Sequence, residues 1–185
     1  TSFDGTSIGI MQINVAEKSV SSGGHPEWKT DASRICLQNS DGTPKTVYDA
    51  DCNMKLGMLL LNEKYKTYSG GILTDVLVRY CPADSTFEGV NLYNLYSSYR
   101  GWDAALRGYN GLGCNINNIQ KDCQPACRAS RNSNCLRDCI YNTVHYVERV
   151  KEAIELVNTG QLGAELDEFF EKTDYSIPKS VEIDS

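Results

Sequence analysis

The sequence has only 2 histidines among its 185 residues, and 24 aspartates and glutamates outnumber its 18 lysines and arginines. Few histidines leave few nitrogen ligands for a metal ion. The excess of acids argues against a nucleic-acid-binding protein, because such a protein needs a basic face that neutralises phosphates. No apolar run approaches the roughly 18 residues that a membrane-spanning helix requires. We therefore expect no membrane span, no nucleic-acid partner, and no metal or other cofactor.

The negative charge is concentrated near the end of the sequence. Residues 161–185 contain seven acids and two bases, whereas residues 1–160 contain 17 acids and 16 bases. A nearly neutral surface suits an uncharged polymer such as a glycan. Because residues 161–185 also have few apolar anchors, we interpret 1–160 as a folded domain and 161–185 as an acidic tail or linker.

The eight cysteines have two candidate explanations, disulfides and metal thiolates. Two Cys-x3-Cys pairs occur, whereas zinc sites usually contain Cys-x2-Cys pairs, so the spacing favours disulfides. Cysteines four apart share a helix face, and two short helices folded against each other would therefore be joined twice. We expect the pairs Cys123–Cys139, Cys127–Cys135, Cys36–Cys52 and Cys81–Cys114, and an extracytoplasmic location: periplasmic, secreted or cell-surface.

Apolar residues recur mostly at helical spacing, and strand-like alternation is almost absent. The pattern predicts a helix through residues 54–65, capped by Asp51 or Asn53, with Met54, Leu56, Leu59 and Leu60 on its apolar stripe. Further helices are predicted at 72–80, at 102–109 and at 143–157, the last with a buried stripe of Val144, Val147, Val150, Ile154 and Val157. Residues 16–47 are predicted to be irregular. The predicted fold class is mainly α.

Four short motifs occur in a characteristic order. They are Gly9-Ile10-Met11-Gln12 within residues 2–14, Asn53 and Gly57 with a leucine at 60 or 61, Tyr109-Asn110, and Thr143 with Tyr146-Val147. By apolar content alone, residues 7–14 also fit a buried strand or a first helical turn. Together the motifs resemble those of lytic transglycosylases of the soluble, lysozyme-like type. The resemblance implies a lysozyme-like helical domain. The cysteine-rich residues 115–142 are not part of the family pattern, and we interpret them as an insertion that forms the disulfide-stapled helical hairpin.

The resemblance also implies a reaction, the non-hydrolytic cleavage of the β-1,4 bond between N-acetylmuramic acid and N-acetylglucosamine in peptidoglycan, with a 1,6-anhydro product. The family's catalytic glutamate is expected upstream of Thr1, so the chain itself is predicted to be inactive. Asp4 and Glu17 are the nearest carboxylates in sequence, and neither stands at the matching position. A hydrolytic lysozyme or chitinase of the same fold, and a non-catalytic glycan-binding wall module, are the alternatives.

The resemblance assigns the expected substrate-binding residues to the matched positions. Ser2 and Gln12 are expected to bind sugar hydroxyl or acetamido groups, Met11 to pack on the acetyl methyl group, and Asn110 to fix a turn. Tyr109 and Tyr146 offer flat apolar faces with polar tips, although Tyr146 also fits an ordinary core aromatic residue. Peptidoglycan or a related amino-sugar glycan is the expected partner, with other envelope proteins as further candidates.

Two positions depart from the family pattern. Gly108 stands where alanine usually precedes the Tyr-Asn pair, and Asn142 stands where glutamate usually precedes Thr143. The second change removes a charge and retains hydrogen-bonding capacity.

Overall fold

The computed structural model describes residues 7–16, 24–70, 81–111, 113–128 and 132–160. Ser2, the predicted helix at 72–80 and the acidic segment 161–185 lie outside the described residues. Within the described ranges the chain forms six α-helices and two short hairpins, which confirms the mainly α class. The helices are α1 (Ala50–Tyr68), α2 (Leu92–Ser98), α3 (Gly101–Asn110), α4 (Ile116–Cys127), α5 (Cys135–Val144) and α6 (Tyr146–Asn158).

The strands are very short. They are β1 (Ser7–Ile8) with β2 (Ile13–Asn14), and β3 (Thr86–Phe87) with β4 (Val90–Asn91), both pairs antiparallel. A single 3-10 helix, Pro26–Lys29, interrupts the described part of the segment that the sequence predicts to be irregular. The chain divides into two compact units, Thr1–Val144 and His145–Ser185. None of the described helices is both long enough and apolar enough to cross a bilayer.

The β1–β2 hairpin covers the segment for which apolar content predicts either a strand or a helical turn. Ser7 lies opposite Asn14 and Ile8 opposite Ile13, so residues 9–12 form the connecting loop. Gly9 and Gln12 both have a positive φ, 73° and 49°. Glycine adopts this conformation without a steric cost, whereas glutamine does so only when its surroundings compensate. In this loop the Gln12 backbone N–H and side-chain amide both donate to the Gly9 carbonyl, at 3.1 and 2.7 Å.

The largest apolar cluster joins this hairpin to α1. Its buried members are Ile8, Ile13, Val15, Trp28, Ala32, Cys36, Val47, Cys52 and Leu56. The helix begins earlier than predicted, after Asp49, and neither Asp51 nor Asn53 caps it. The predicted stripe is also partly wrong, because Leu56 is fully buried while Met54 is 55% exposed. Met54 and Met58 are four residues apart and lie along a solvent-facing line of the helix, so their apolar character alone does not report burial.

All four predicted disulfides are confirmed: Cys36–Cys52, Cys81–Cys114, Cys123–Cys139 and Cys127–Cys135. The last two join α4 to α5 with Cα separations of 5.9 and 5.7 Å. This nested pairing follows from the helical spacing, because cysteines four apart face the same neighbour. The predicted stapled hairpin is therefore present, and its origin as an insertion stays a prediction.

The predicted single helix over 143–157 is wrong. The chain forms α5 up to Val144 and α6 from Tyr146, with His145 between them outside helical geometry. Val144 and Val147 are buried, but Ile154 and Val157 are 52% and 57% exposed. Within α6, helical spacing relates Val147, Ile154 and Val157, but it cannot say whether another element covers them. The helix ends at Asn158, within one residue of the predicted end, and Thr159 caps it.

Candidate functional site

The β1–β2 loop is held by a buried asparagine of α1. The Asn53 side-chain amide donates to the carbonyls of Ile8 and Val47, both at 3.0 Å. Its carbonyl oxygen accepts the backbone N–H of Met11 at 3.1 Å. Asn53 is only 1% exposed, so these bonds satisfy polar groups that water does not reach. The first helical turns of α1 therefore position the backbone of the loop.

Two glycines allow the loop and α1 to approach closely. A Cβ atom on Gly9 would lie 2.3 Å from the side-chain amide of Asn53. A Cβ atom on Gly57 would lie 2.5 Å from Cβ and Cγ of Met11. Both distances are far below van der Waals contact, so only glycine fits at either position without movement. Asn53 and Gly57 lie about one helical turn apart on α1, so both face the loop.

Tyr109 reaches the same loop from α3. Its hydroxyl donates to the carbonyl oxygen of Met11 at 2.6 Å. The backbone of Met11 is consequently bonded on its N–H side by Asn53 and on its carbonyl side by Tyr109. The structure brings together residues from three of the four sequence motifs, around one peptide segment.

The exposed part of the loop consists of Ile10 and Gln12. Ile10 is 79% exposed, so its aliphatic side chain is accessible from solvent. Gln12 is exposed as well, but its side-chain N–H donates to Gly9 within the loop. Its amide is therefore committed in part to the turn, and its oxygen is the group that remains suited to accept a hydrogen bond from a ligand.

The surroundings of Gly108 leave no room for a larger side chain. A Cβ atom on Gly108 would lie 2.4 Å from Cδ2 of the Tyr68 ring. Tyr68 is the last residue of α1, and its ring occupies the volume that an alanine methyl group would need. This contact fixes the packing of α1 against α3 next to Tyr109.

Arg107, a residue without a role in the sequence prediction, ties down the end of α3. It is 1% exposed and lies over the ring of Tyr96 at 4.2 Å. Its guanidinium donates to the carbonyls of Gly111 and Thr143, both at 2.9 Å, and to that of Gly113 at 3.4 Å. A cation at a helix C-terminus interacts favourably with the unpaired carbonyls there. Arg107 stands three residues after the buried Ala104 of α3, and this spacing does not distinguish it from an exposed arginine.

Asn110 and Tyr146 fall in different surroundings. Asn110 is exposed at the last position of α3, and its amide donates to the Thr143 carbonyl at 3.4 Å, in keeping with the turn-fixing role. Tyr146 is the first residue of α6 in the second unit and is partly buried there. Asn142 is exposed near the end of α5. The substrate-binding roles of all these residues stay predictions.

The described carboxyl groups whose pKa is displaced all favour the ionised form. The backbone N–H of His25 donates to Asn14 of β2 at 3.0 Å, and the His25 ring stacks on Trp28 and lies 2.9 Å from Glu27. Burial acts to raise the pKa of Glu27, but the His25 hydrogen bond and charge outweigh it and the pKa is lowered. Every described carboxyl group with a displaced pKa is displaced downward: Glu27, Asp31, Asp41 and Asp51. A general acid needs the opposite displacement, so these four suit hydrogen bonding rather than proton donation.

A cavity of about 360 Å³ lies at the tip of the α4–α5 hairpin, away from the β1–β2 loop in sequence. It is lined by Gln124, Cys127, Arg128, Asn132, Ser133, Cys135 and Leu136. It is widely open to solvent. Among the described residues, no group of three or more histidine, cysteine, aspartate or glutamate side chains is placed to hold a metal ion.

The geometry defines a candidate site at the β1–β2 loop, bounded by α1 and by the end of α3. No known protein family, curated protein or solved structure matches the chain.

Proposed function

We propose that this chain is the glycan-binding part of a peptidoglycan lytic transglycosylase. The observation that carries the proposal is the backbone of Met11, which Asn53 of α1 and Tyr109 of α3 hold from both sides. The three motifs that resemble the lytic transglycosylases are separated by more than 40 residues of sequence, yet their members share these contacts. If each short motif matched only by chance, its residues would have no reason to meet at one peptide segment.

The chemistry assigned by the resemblance needs one carboxyl group. This acid donates a proton to the glycosidic oxygen, which leaves with the N-acetylglucosamine, and then, as a carboxylate, takes the proton of the C6 hydroxyl of the N-acetylmuramic acid, whose O6 bonds to its own C1. The sugar's own hydroxyl closes the anhydro ring, so no water and no second carboxylate take part. The acid is proposed to be a glutamate preceding Thr1 in sequence.

The roles of the described residues follow from their positions. The exposed side chains of Ile10 and Gln12 form the surface on which a sugar ring would lie, with the oxygen of Gln12 as an acceptor. Tyr109 and Asn53 hold that surface in one conformation, which reduces the entropy lost when the sugar binds. The nearly neutral charge of residues 1–160 suits an uncharged polymer. The four disulfides support an extracytoplasmic location, periplasmic, secreted or at the cell surface, where peptidoglycan and other envelope proteins are found.

A binding module without catalysis is the second candidate. The residues that form the candidate site, Ile10, Gln12, Asn53 and Tyr109, carry no carboxyl group, and glycan binding without catalysis needs none. The two candidates share the same glycan-binding surface and differ only in whether an acid acts on the bound sugar.

The experiment has two arms. In the first, the purified chain is mixed with insoluble peptidoglycan and the bound fraction is measured by sedimentation; Gln12→Ala is expected to reduce it severalfold, whereas the exposed control Leu37→Ala leaves it unchanged. Failure of the native chain to sediment with peptidoglycan would reject both candidates. In the second arm, the coding sequence is extended upstream and the products are weighed by mass spectrometry. Anhydro ends support the transglycosylase, reducing ends indicate a hydrolase, and intact glycan supports the binding module.

A further inference from the structure

We infer that Trp102, supported by Tyr65, is a second sugar-binding position, on which a distal ring of the glycan stacks. The inference rests on the proposed function, because it extends the same glycan beyond the β1–β2 loop. It concerns the start of α3, whereas the candidate site lies at the end of that helix.

The exposure of Trp102 requires an explanation. Trp102 is 52% exposed, whereas Trp28, the other tryptophan, is 6% exposed and stacks on His25 in the interior. A large aromatic surface left in water loses the free energy that burial would give it. Trp102 keeps about half of its surface in water while its ring packs on Tyr65, so an aromatic face is left accessible to a ligand.

Tyr65 holds the Trp102 ring. The ring centroids are 4.2 Å apart with an angle of 35° between the planes. Tyr65 belongs to α1 and is only partly exposed, and the adjacent backbone is fixed by a bond from the Gly101 N–H to the Ser69 carbonyl at 3.3 Å. One face of the indole is thus supported while about half of the side chain remains accessible. This preorganisation lowers the entropic cost of stacking a ligand on it.

Trp102 and Tyr109 lie on the same face of α3. They are seven residues apart, two helical turns, which corresponds to about 10 Å along the helix axis. Tyr109 contacts the β1–β2 loop, so an extended chain bound at the loop and following this face would reach Trp102. The distance suits two rings of one polymer chain better than a single small ligand.

The chemistry of the position favours a saccharide over a protein partner. One supported indole presents a flat apolar face of the kind that a pyranose covers with its C–H groups, while the sugar hydroxyls remain in water. A stable protein interface needs a much larger area, roughly 800 Å² on each partner. The continuity with the candidate site identifies the occupant as the β-1,4-linked amino-sugar chain.

The test uses the full 185-residue chain and a β-1,4-linked hexamer of N-acetylglucosamine as the probe, with affinity measured by calorimetry. Trp102→Ala is expected to weaken binding about three- to tenfold, the range for one aromatic contact, and Trp102→Phe to retain most of the affinity. Leu37→Ala, at another exposed apolar position, is the matched control. Circular dichroism establishes that each variant is folded.

The double variant Trp102→Ala/Tyr109→Phe separates the two positions. Losses that add are expected, because distant and independent contacts contribute additively. Unchanged hexamer affinity in Trp102→Ala, with weakened binding in Tyr109→Phe, would overturn this inference and leave the proposed function standing. Strongly non-additive losses would also overturn it, since Trp102 would then belong to the central site. If the native chain binds neither the hexamer nor peptidoglycan, the proposed function fails and this inference fails with it.

Discussion

The hydroxyl of Tyr109 donates a hydrogen bond to the carbonyl oxygen of Met11 at 2.6 Å, across 98 positions of sequence. Met11 lies in a four-residue loop whose flanking strands have only two residues each, so the loop conformation depends on its contacts with α1 and α3. The bond therefore transmits the packing of α3 directly to the exposed loop side chains. A substitution in α3 is therefore expected to alter ligand binding at the β1–β2 loop, even though α3 does not cover this loop.

Tyr109→Phe removes this bond and keeps the ring. We expect the free energy of unfolding to fall by about 1 kcal/mol, the usual net value of one such bond, and peptidoglycan binding to weaken. Urea denaturation and sedimentation measure the two effects. Tyr48→Phe, at a residue that is 63% exposed, is the control and should change neither quantity. A Tyr109→Phe protein indistinguishable from Tyr48→Phe in both assays would contradict the role of this bond.

Asn53→Ala is expected to be more damaging than Tyr109→Phe. It removes two donated bonds and one accepted bond at a site that is 1% exposed, leaving the Ile8 carbonyl and Met11 N–H without their partner. Because buried polar groups lose their solvation as well as their bond, the expected cost is about 3 kcal/mol. The comparison is Asn62→Ala, at an exposed position of the same helix. Equal urea midpoints for the two variants would show that Asn53 does not hold the loop.

The contrast between Asn53 and the cysteines shows what sequence spacing can predict. Helical spacing gives the nested pairs Cys123–Cys139 and Cys127–Cys135, because i and i+4 positions face one neighbour and a covalent bond then fixes the geometry. For Asn53 the sequence suggests a helix cap, since asparagine is common there. Its actual partners are 42 and 45 residues away for the two loop contacts, and no local pattern reports such distances.

The sequence predicts which residues share a helix face better than it predicts which of those residues are buried. Val144 and Val147 are buried, whereas Ile154 and Val157 of the same predicted stripe are exposed. Trp102 and Arg107 invert the usual preferences, since the tryptophan is half exposed and the arginine is buried. Hydrophobicity scales assign a residue type one average behaviour, and the position of Arg107 depends instead on three carbonyl groups that the fold brings to it.

Gly108→Ala tests the contact between α1 and α3. Alanine favours a helix over glycine by about 1 kcal/mol, but here its Cβ would lie 2.4 Å from the Tyr68 ring. We expect a net loss of about 1 to 2 kcal/mol in the free energy of unfolding, because overpacking in a defined contact outweighs helix propensity. In a Tyr68→Ala background the same substitution should become stabilising. If Gly108→Ala has the same sign in both backgrounds, Tyr68 does not exclude the methyl group.

Reduction and chelation distinguish covalent from metal-based stabilisation. Dithiothreitol is expected to lower the melting temperature, because opening a disulfide that closes a loop of 16 residues, such as Cys123–Cys139, costs about 3 kcal/mol. EDTA is expected to have no effect. Differential scanning fluorimetry with each reagent separates these effects, and a chelator-sensitive, reductant-insensitive protein would contradict the disulfide assignment.

Acid should remove the contribution of Asp51 at the start of α1. The hydrogen bond from the Lys45 ammonium is the main cause of the lowered pKa of Asp51, and the N–H of Cys52 adds to it. Because the folded-state pKa lies below the unfolded value of about 3.9, the ionised group stabilises the fold fully above that value. The contribution is lost as the pH falls through the folded-state pKa.

The measurable quantity is the difference in free energy of unfolding between the native chain and Asp51→Asn. It is expected to be constant above about pH 5 and to shrink toward zero as the folded-state pKa is passed, since both side chains are then neutral. Asp84→Asn, at an exposed aspartate with no hydrogen bond from Lys45, is the control for the general effect of removing one negative charge. A difference that grows as the pH falls would mean that the pKa of Asp51 is raised by folding. The Lys45–Asp51 bond would then oppose the ionised form instead of stabilising it.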